Sequence, residues 1–255
     1  MKTFKDIHEW IAFRKILSPD KTLGVVMTMG ALHEGHCSLI RRSKEENDYT
    51  VCTIFVNPTQ FDRKDDFDKY PITLDADKMA LQNLKTDFLL LPDYKQIYPD
   101  EYRYKVMEND LSTILCGATR KGHFDGVLTV VMKLLHIVNA HKAYFGKKDF
   151  QQYLLIKNMA EAFFLGTEIV GCEIVRENDG LAMSSRNVRL SSAGREKASF
   201  YASTFKRDLA LSEIKQILED NDIKVDYLEE WFGRRFIAVF IENVRLIDNF
   251  EMEKD

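Results

Sequence analysis

Val25-Val26-Met27-Thr28-Met29-Gly30-Ala31-Leu32-His33-Glu34-Gly35-His36 contains the transition on which the fold turns. Its first five residues are a β-rich apolar run suited to a buried strand, and Gly30 ends that run. Beyond it, Cys37 to Asn47 spaces apolar side chains three and four apart, as an amphipathic helix requires. A strand that passes through a glycine turn into a helix is one unit of a parallel α/β sheet. The unit recurs. Val51 to Val56 closed by Asn57-Pro58, Phe88 to Leu91 before Pro92, Ala143 to Phe145 ending at Gly146, and Glu168 to Ile174 read as further strands. Asp75 to Leu84, Phe124 to Val138 and Phe150 to Phe163 read as the helices between them. Phe4, Ile7 and Ile11 predict an N-terminal helix against the sheet edge.

The last quarter differs in composition. All 5 prolines fall at or before residue 99, and only Gly194 and Gly233 follow residue 180, which marks a boundary near residues 175 to 190. The expectation is an α/β Rossmann-like parallel-sheet domain over 1–175 and a smaller C-terminal α+β domain over 176–255. In the latter, Ser203 to Asp220 reads as one helix, Arg235 to Asn243 as a strand, and Val244 to Ile247 as its continuation or partner. The charged end from Glu251 to Asp255 is expected to fray.

At roughly 150 residues per domain, 255 residues accommodate one large domain or two unequal ones. With 45% apolar residues and only 12 Gly, the chain has material for a packed core and too little glycine for a fibrous repeat. A net charge of −4 and a pI near 5.9 remove the broad positive field that duplex nucleic acid or anionic lipid calls for. The longest apolar run, Phe236 to Ile241, falls far short of the roughly 20 residues that cross a bilayer, and Lys2, Lys5, Asp6 and Glu9 interrupt any signal-peptide core. A soluble, cytoplasmic protein with no nucleic-acid or membrane partner is expected. Cys37, Cys52, Cys116 and Cys172 form no Cys-x-x-Cys pair and read as reduced thiols, Cys37 and Cys116 as packed side chains rather than nucleophiles.

The turn from Met29 to His36 also carries chemistry. A helix N-terminus presents unpaired amides and about half a positive charge to an anion, and glycine lets a phosphate come close to the backbone. Two imidazoles three residues apart, His33 and His36, can donate N–H bonds to a phosphoryl group whose charge grows in the transition state. The competing readings are ordinary turn histidines and, less favourably, a zinc site, for which the spacing is wrong and a third ligand is not evident. Asn57-Pro58-Thr59-Gln60-Phe61 follows one strand and Gly146-Lys147-Lys148-Asp149-Phe150-Gln151-Gln152 another, both at the sheet's carboxyl end, where open α/β folds bind ligands. Met183-Ser184-Ser185-Arg186-Asn187 combines two hydroxyls with a guanidinium, a set suited to clamping terminal phosphates. His136 reads as a core-facing helix residue, His8 and His141 as surface positions, and His123 as either a helix cap or part of a substrate cavity.

These stretches, together with Arg120-Lys121-Gly122-His123-Phe124-Asp125-Gly126-Val127 and Arg245-Leu246-Ile247-Asp248-Asn249, resemble the pantothenate synthetase (pantoate–β-alanine ligase) family. The resemblance implies an adenylyltransferase-type nucleotide-binding fold and ATP, pantoate and β-alanine as substrates, with magnesium on the phosphates. It further implies a pantoyl-adenylate intermediate and a homodimer. Carried over position by position, Met29, Gly30, Ala31, Leu32, His33, Glu34, Gly35, His36, Gly146, Lys147, Lys148, Asp149, Val175, Met183, Ser184, Ser185 and Arg186 line the ATP site. Within that set His36, the proton-donating histidine, His33, Lys148 and Arg186 are the catalytic candidates. Gln60 meets pantoate and the incoming β-alanine, Gln152 binds pantoate, and Asn57 accompanies them. Asp77 aligns with a carboxylate near the nucleotide magnesium, although a helix-cap role competes. Lys121, Lys147 and Cys37 depart from residues usual in the family, and the portion after Ser192, its lid, looks shorter than in typical members. The runner-up is a nucleotidyltransferase acting on a phosphorylated acceptor, which would favour additional fixed arginines over the neutral glutamines.

Overall fold

In a computed structural model, which describes residues 1–252, the chain begins with β1 (Lys2–Phe4), α1 (Ile7–Ile16), β2 (Leu23–Thr28), α2 (Glu34–Glu46) and β3 (Tyr49–Ile54). Then follow α3 (Lys64–Asp68), α4 (Leu74–Asn83), β4 (Phe88–Leu90), α5 (Tyr94–Ile97), α6 (Cys116–Thr119) and α7 (His123–Val138). The first half closes with β5 (Lys142–Gly146), α8 (Phe150–Ala162) and β6 (Glu168–Cys172). After a long connection come α9 (Ser192–Thr204), α10 (Leu211–Glu219), β7 (Lys224–Trp231), β8 (Arg234–Ile241) and β9 (Val244–Glu251).

The first six strands form one parallel sheet in the order β1-β4-β3-β2-β5-β6. Successive residues of a strand face opposite ways, so the sheet needs cover on both sides. Val25, Val51, Leu90 and Ala143 join the core under α1, α7 and α8, while Val26, Cys52, Leu89 and Tyr144 join a second cluster with Leu39 and Ile40 of α2. The strand order reverses beside β2, between β3 and β5, which is where the crevice of such a sheet opens. The last three strands form an antiparallel meander, β7-β8-β9, with its own core of Ile214, Leu218, Ile237 and Val239 beneath α9 and α10.

Several expectations are corrected. Phe4 belongs to a three-residue edge strand, too short to show a period, which pairs with β4 in register Phe4 to Leu90. The helix expected over Ser203 to Asp220 is two helices, because the fully buried Phe205 turns the chain inward and the Arg235 guanidinium takes the carbonyls of Phe205 and Arg207. Val244 begins a partner strand for β8, and β7 joins that sheet without having been foreseen. His136 is exposed: Leu134, Leu135 and Val138 occupy the buried stripe of α7, and the ring instead meets the carbonyl of Met132 at 2.8 Å. His141, though exposed, accepts from the amide of Leu23 at 2.9 Å. All four cysteines are free. The expected fraying at the C-terminus concerns, beyond Met252, residues outside those described.

Candidate active site

A cleft of about 370 Å³ opens over the carboxyl ends of β2 and β5 and is closed on one side by the C-terminal meander. Its first wall is the histidine turn. Gly30 has φ +78°, a conformation natural to glycine, and a Cβ there would lie 3.0 Å from the Asp77 carboxylate. Asp77, on α4 and 3% exposed, accepts from the amides of Ala31 (3.0 Å) and Leu32 (2.8 Å) and from the Thr73 hydroxyl (3.1 Å). The turn is therefore held by a buried carboxylate 46 residues away. His33 caps α2, and its amide donates to Nδ1 of His36 at 3.4 Å, leaving Nε2 of His36 as the N–H donor. The rings lie 4.0 Å apart between centroids. Burial, reinforced by His33 and Lys148, lowers His36 to about 3, and burial reinforced by Lys148 lowers His33 to about 4, so both are neutral near pH 7.

The second wall follows β5. Gly146 leads into a 3-10 turn, Lys147–Asp149, where the Lys148 ammonium meets Asp149 at 3.0 Å. Burial disfavours the Asp149 charge, and Lys148 and Arg186 overcome this to hold its carboxyl below the usual range. Val175 and the loop from Met183 to Arg186 form the third wall. Arg186 is bound by Asp66 of α3 through two hydrogen bonds, at 2.7 and 3.3 Å, and Arg189 takes the same carboxylate at 2.7 Å. Burial works against ionisation of Asp66, but the two guanidiniums pull its pKa to about 2. Tyr70 adds a 3.2 Å contact between its hydroxyl and that of Ser185.

The fourth wall presents Gln60. Asn57, 1% exposed, donates to Oε1 of Gln60 at 3.1 Å and accepts from Tyr98 at 2.9 Å, which turns the Gln60 amide N–H groups toward the cleft. The Gln60 carbonyl receives His123 Nδ1 at 2.8 Å, while His123 Nε2 accepts from Arg120 at 3.0 Å and Arg120 pairs with Asp62 at 2.7 Å. Burial first, then Arg120, lowers His123 to about 3, as this arrangement of a neutral ring requires. His123 is thus part of the cavity as well as the first residue of α7. Gln152 reaches the same cleft from α8, whereas Gln151 turns inward to the amide of Cys116 and the carbonyls of Leu111 and Ile114.

Of the residues expected at the site, Met29, His33, Gly35, His36, Asn57, Gln60, Gly146, Lys148, Asp149, Gln152, Val175, Met183, Ser184, Ser185 and Arg186 line this one cleft. Gly30, Ala31 and Leu32 shape the turn from behind, Glu34 pairs with Arg41 outside, and Lys147 pairs with Glu173. Asp77, offered for magnesium, accepts from the amides of Ala31 and Leu32 and holds the turn from behind the wall. Cys37 has its thiol pushed up by burial, and Cys116 is packed against the Tyr227 hydroxyl at 3.2 Å. Sequence reasoning missed Asp66, Tyr70, Arg63, the strand residues Asp226 and Phe240, and Asn243 of the turn between β8 and β9, which also reach the cleft. For Asp66 the available signal was the acidic run Asp65-Asp66-Phe67-Asp68 just after the Asn57–Phe61 motif.

A family model described as pantoate-beta-alanine ligase matches residues 1–251. A pantothenate synthetase of Legionella pneumophila is 50% identical over 250 residues, covering 98% of this chain and 99% of that protein. One from Coxiella burnetii is 46% identical over 254 residues, covering 100% and 98%. The crystal structure of pantoate-beta-alanine ligase from Francisella tularensis, complexed with beta-gamma ATP and beta-alanine, superposes with a TM-score of 0.96 at 40% identity and covers 100% of this chain and 99% of that one. Against these relatives the C-terminal portion has matching length.

Proposed function

The chain belongs to the pantoate–β-alanine ligase family, and from that premise we propose how its cleft joins pantoate to β-alanine. The pantoate carboxylate attacks the α-phosphorus of ATP, the bond to the β-phosphate breaks, and pyrophosphate leaves. The amine of β-alanine then attacks the acyl carbon of the pantoyl adenylate, releases AMP, loses a proton and yields pantothenate. Both nucleophiles come with the substrates, so the protein's task is to orient them and to meet charge on the phosphates.

The observation that carries the reading is the convergence of three phosphate-suited groups with two amide readers on one cleft: His36, Lys148 and Arg186 with Gln60 and Gln152. Neutral His33 and His36 offer N–H donors at the N-terminus of α2, Lys148 and Arg186 supply positive charge, and Ser184 and Ser185 add hydroxyls. Gln60, its oxygen held by Asn57, offers N–H groups to the oxygens of a hydroxy acid. The other arginines on the wall, Arg63, Arg120, Arg189 and Arg245, are each paired with a carboxylate, Asp65, Asp62, Asp66 and Asp226 respectively, as Arg186 is with Asp66. The neutral amides of Gln60 and Gln152 support an acceptor without phosphate over the phosphorylated one.

Magnesium accompanies ATP in this reading. Asp77 is committed elsewhere, and no cluster of three or more metal-ligating side chains is found among the described residues. The triphosphate oxygens would hold the ion, with Asp149 the carboxylate beside them, and its chemistry there would be neutralisation of phosphate charge. The division at about residue 175 makes the C-terminal meander a lid over the cleft, in keeping with Arg245 and Ile247 on its wall. A cytoplasmic homodimer rests on the family resemblance, and sedimentation velocity tests the dimer. The central experiment measures AMP formation with ATP, magnesium, pantoate and β-alanine, omitting each in turn. AMP is expected only when all are present, and exchange of pyrophosphate into ATP is expected with pantoate alone. Exchange supported by β-alanine without pantoate would overturn the order of steps.

A further inference from the structure

The stretch Arg245-Leu246-Ile247-Asp248-Asn249 lies on β9, about a hundred residues from the turn that carries Lys148, yet it touches that turn directly. Asn249 is 1% exposed, and its two side-chain N–H groups donate to the successive carbonyls of Lys147 (3.0 Å) and Lys148 (2.9 Å). Its Oδ1 accepts from Arg234 at 2.8 Å, so the amide cannot be flipped without losing all three bonds. The 3-10 turn has no capping side chain of its own at Gly146. Beside it, Asp248 receives two hydrogen bonds from Arg176, at 2.5 and 3.0 Å, and Arg176 pairs as an isolated bridge with Ala182, just before the Met183–Arg186 loop. Two neighbouring residues of one strand thus hold the two segments that bring cations to the cleft.

We infer that Asn249 is a positioning residue for adenylate formation: it fixes the Lys147–Asp149 turn so that the Lys148 ammonium stands at the phosphates, and it ties that turn to the C-terminal sheet. This rests on the reading of Lys148 as a phosphate-binding group. The Asn249 side chain is buried behind the turn and itself meets no substrate. Its effect passes entirely through backbone geometry, where a displacement on the order of 1 Å can cost about 10²-fold in rate.

Asn249→Asp keeps the size and the acceptor for Arg234 but sets an oxygen against two carbonyls. Asn249→Ala removes the clip outright. Each is purified, its melting temperature is recorded, and two half-reactions are timed: single-turnover adenylate formation at saturating ATP, and attack of β-alanine on preformed pantoyl adenylate. Adenylate formation is expected to fall by about 10- to 100-fold while the second half-reaction changes less than about threefold. In a Lys148→Ala background the same substitutions should cost under about threefold more, because the group they position is gone. Equal losses in the wild-type and Lys148→Ala backgrounds would overturn the inference. So would parallel loss of both half-reactions, or unchanged adenylate formation in folded variants when Lys148→Ala is impaired. Adenylate formation that survives Lys148→Ala itself would instead overturn the reading of Lys148, and with it the inference.

Discussion

The histidine turn and the Met183–Arg186 loop both line the cleft and are built in opposite ways. The turn is uncharged on its ligand side, and its backbone is fixed from behind by Asp77. The loop delivers a guanidinium, and that guanidinium is held from the front by Asp66, a residue of the cleft wall. One side is preformed, since nothing must be broken for His36 to donate. The other carries an internal anion, Asp66, which on the proposed reading a phosphate must displace or share. Preorganisation lowers the reorganisation needed at the moment of reaction, whereas an occupied cation costs ground-state affinity before it contributes.

Removing the groups themselves has the largest expected effect. His36→Ala and Arg186→Ala should each lower kcat by about 10²–10³, or about 3–4 kcal/mol, measured by single-turnover adenylate formation. Intact rates at saturating ATP would reduce both to nucleotide anchors and erase the contrast in catalytic terms. Next comes the support of the turn. Asp77→Ala strands two buried amides and should cost about 3 kcal/mol, a fall in Tm of about 6–12 °C by calorimetry. A loss under 2 °C would mean that the turn is not held from behind.

The neutral histidines give the turn a pH signature. His36 sits at about 3 in the folded protein against its ordinary 6.5, so below pH 6.5 the unfolded chain takes up a proton that the folded one refuses. The stability this contributes is complete above pH 6.5 and is lost as pH falls toward 3. Between pH 7 and 5 the wild type should therefore lose about 2 kcal/mol more than His36→Asn, by denaturant unfolding at each pH. The smallest effect is expected at the loop: Asp66→Asn should lower KM for ATP by about three- to tenfold with little change in kcat. A raised KM would show that Asp66 orients Arg186 rather than competing for it.

The parallel strands β2 to β5 announced themselves because each is a short apolar run closed by glycine, proline or asparagine, β6 by its apolar run alone, whereas β1 is too short to show a pattern; the walls of the cleft lie directly after three of them, β2, β3 and β5. What escaped depends on distance. Asp66 lies in the acidic run Asp65-Asp66-Phe67-Asp68, and its partners stand 120 and 123 residues later. Periodicity runs unbroken through Ser203 to Asp220, so only the burial of Phe205 and the hydrogen bond that its carbonyl accepts from Arg235 reveal the break. For His136 the apolar neighbours suggested the core, but residues 134, 135 and 138 already fill the stripe that a helix can bury. Asn249 was visible only as part of a familiar ending, because a side chain that binds backbone carbonyls leaves no pattern at the positions it serves.

The helix that carries His123 rests on the turn that carries Gln60 with no side chain between them. A Cβ at Gly126 would fall 2.4 Å from the carbonyl of Thr59, while Asn57 bonds the Gly126 carbonyl at 3.2 Å. For anyone redesigning this chain to accept a different acid, position 126 is a spacer setting rather than a contact. On the proposed reading of Gln60, each carbon added there would lift its amide off its seat, so the depth of the acid pocket would be tuned from a residue that the acid never meets.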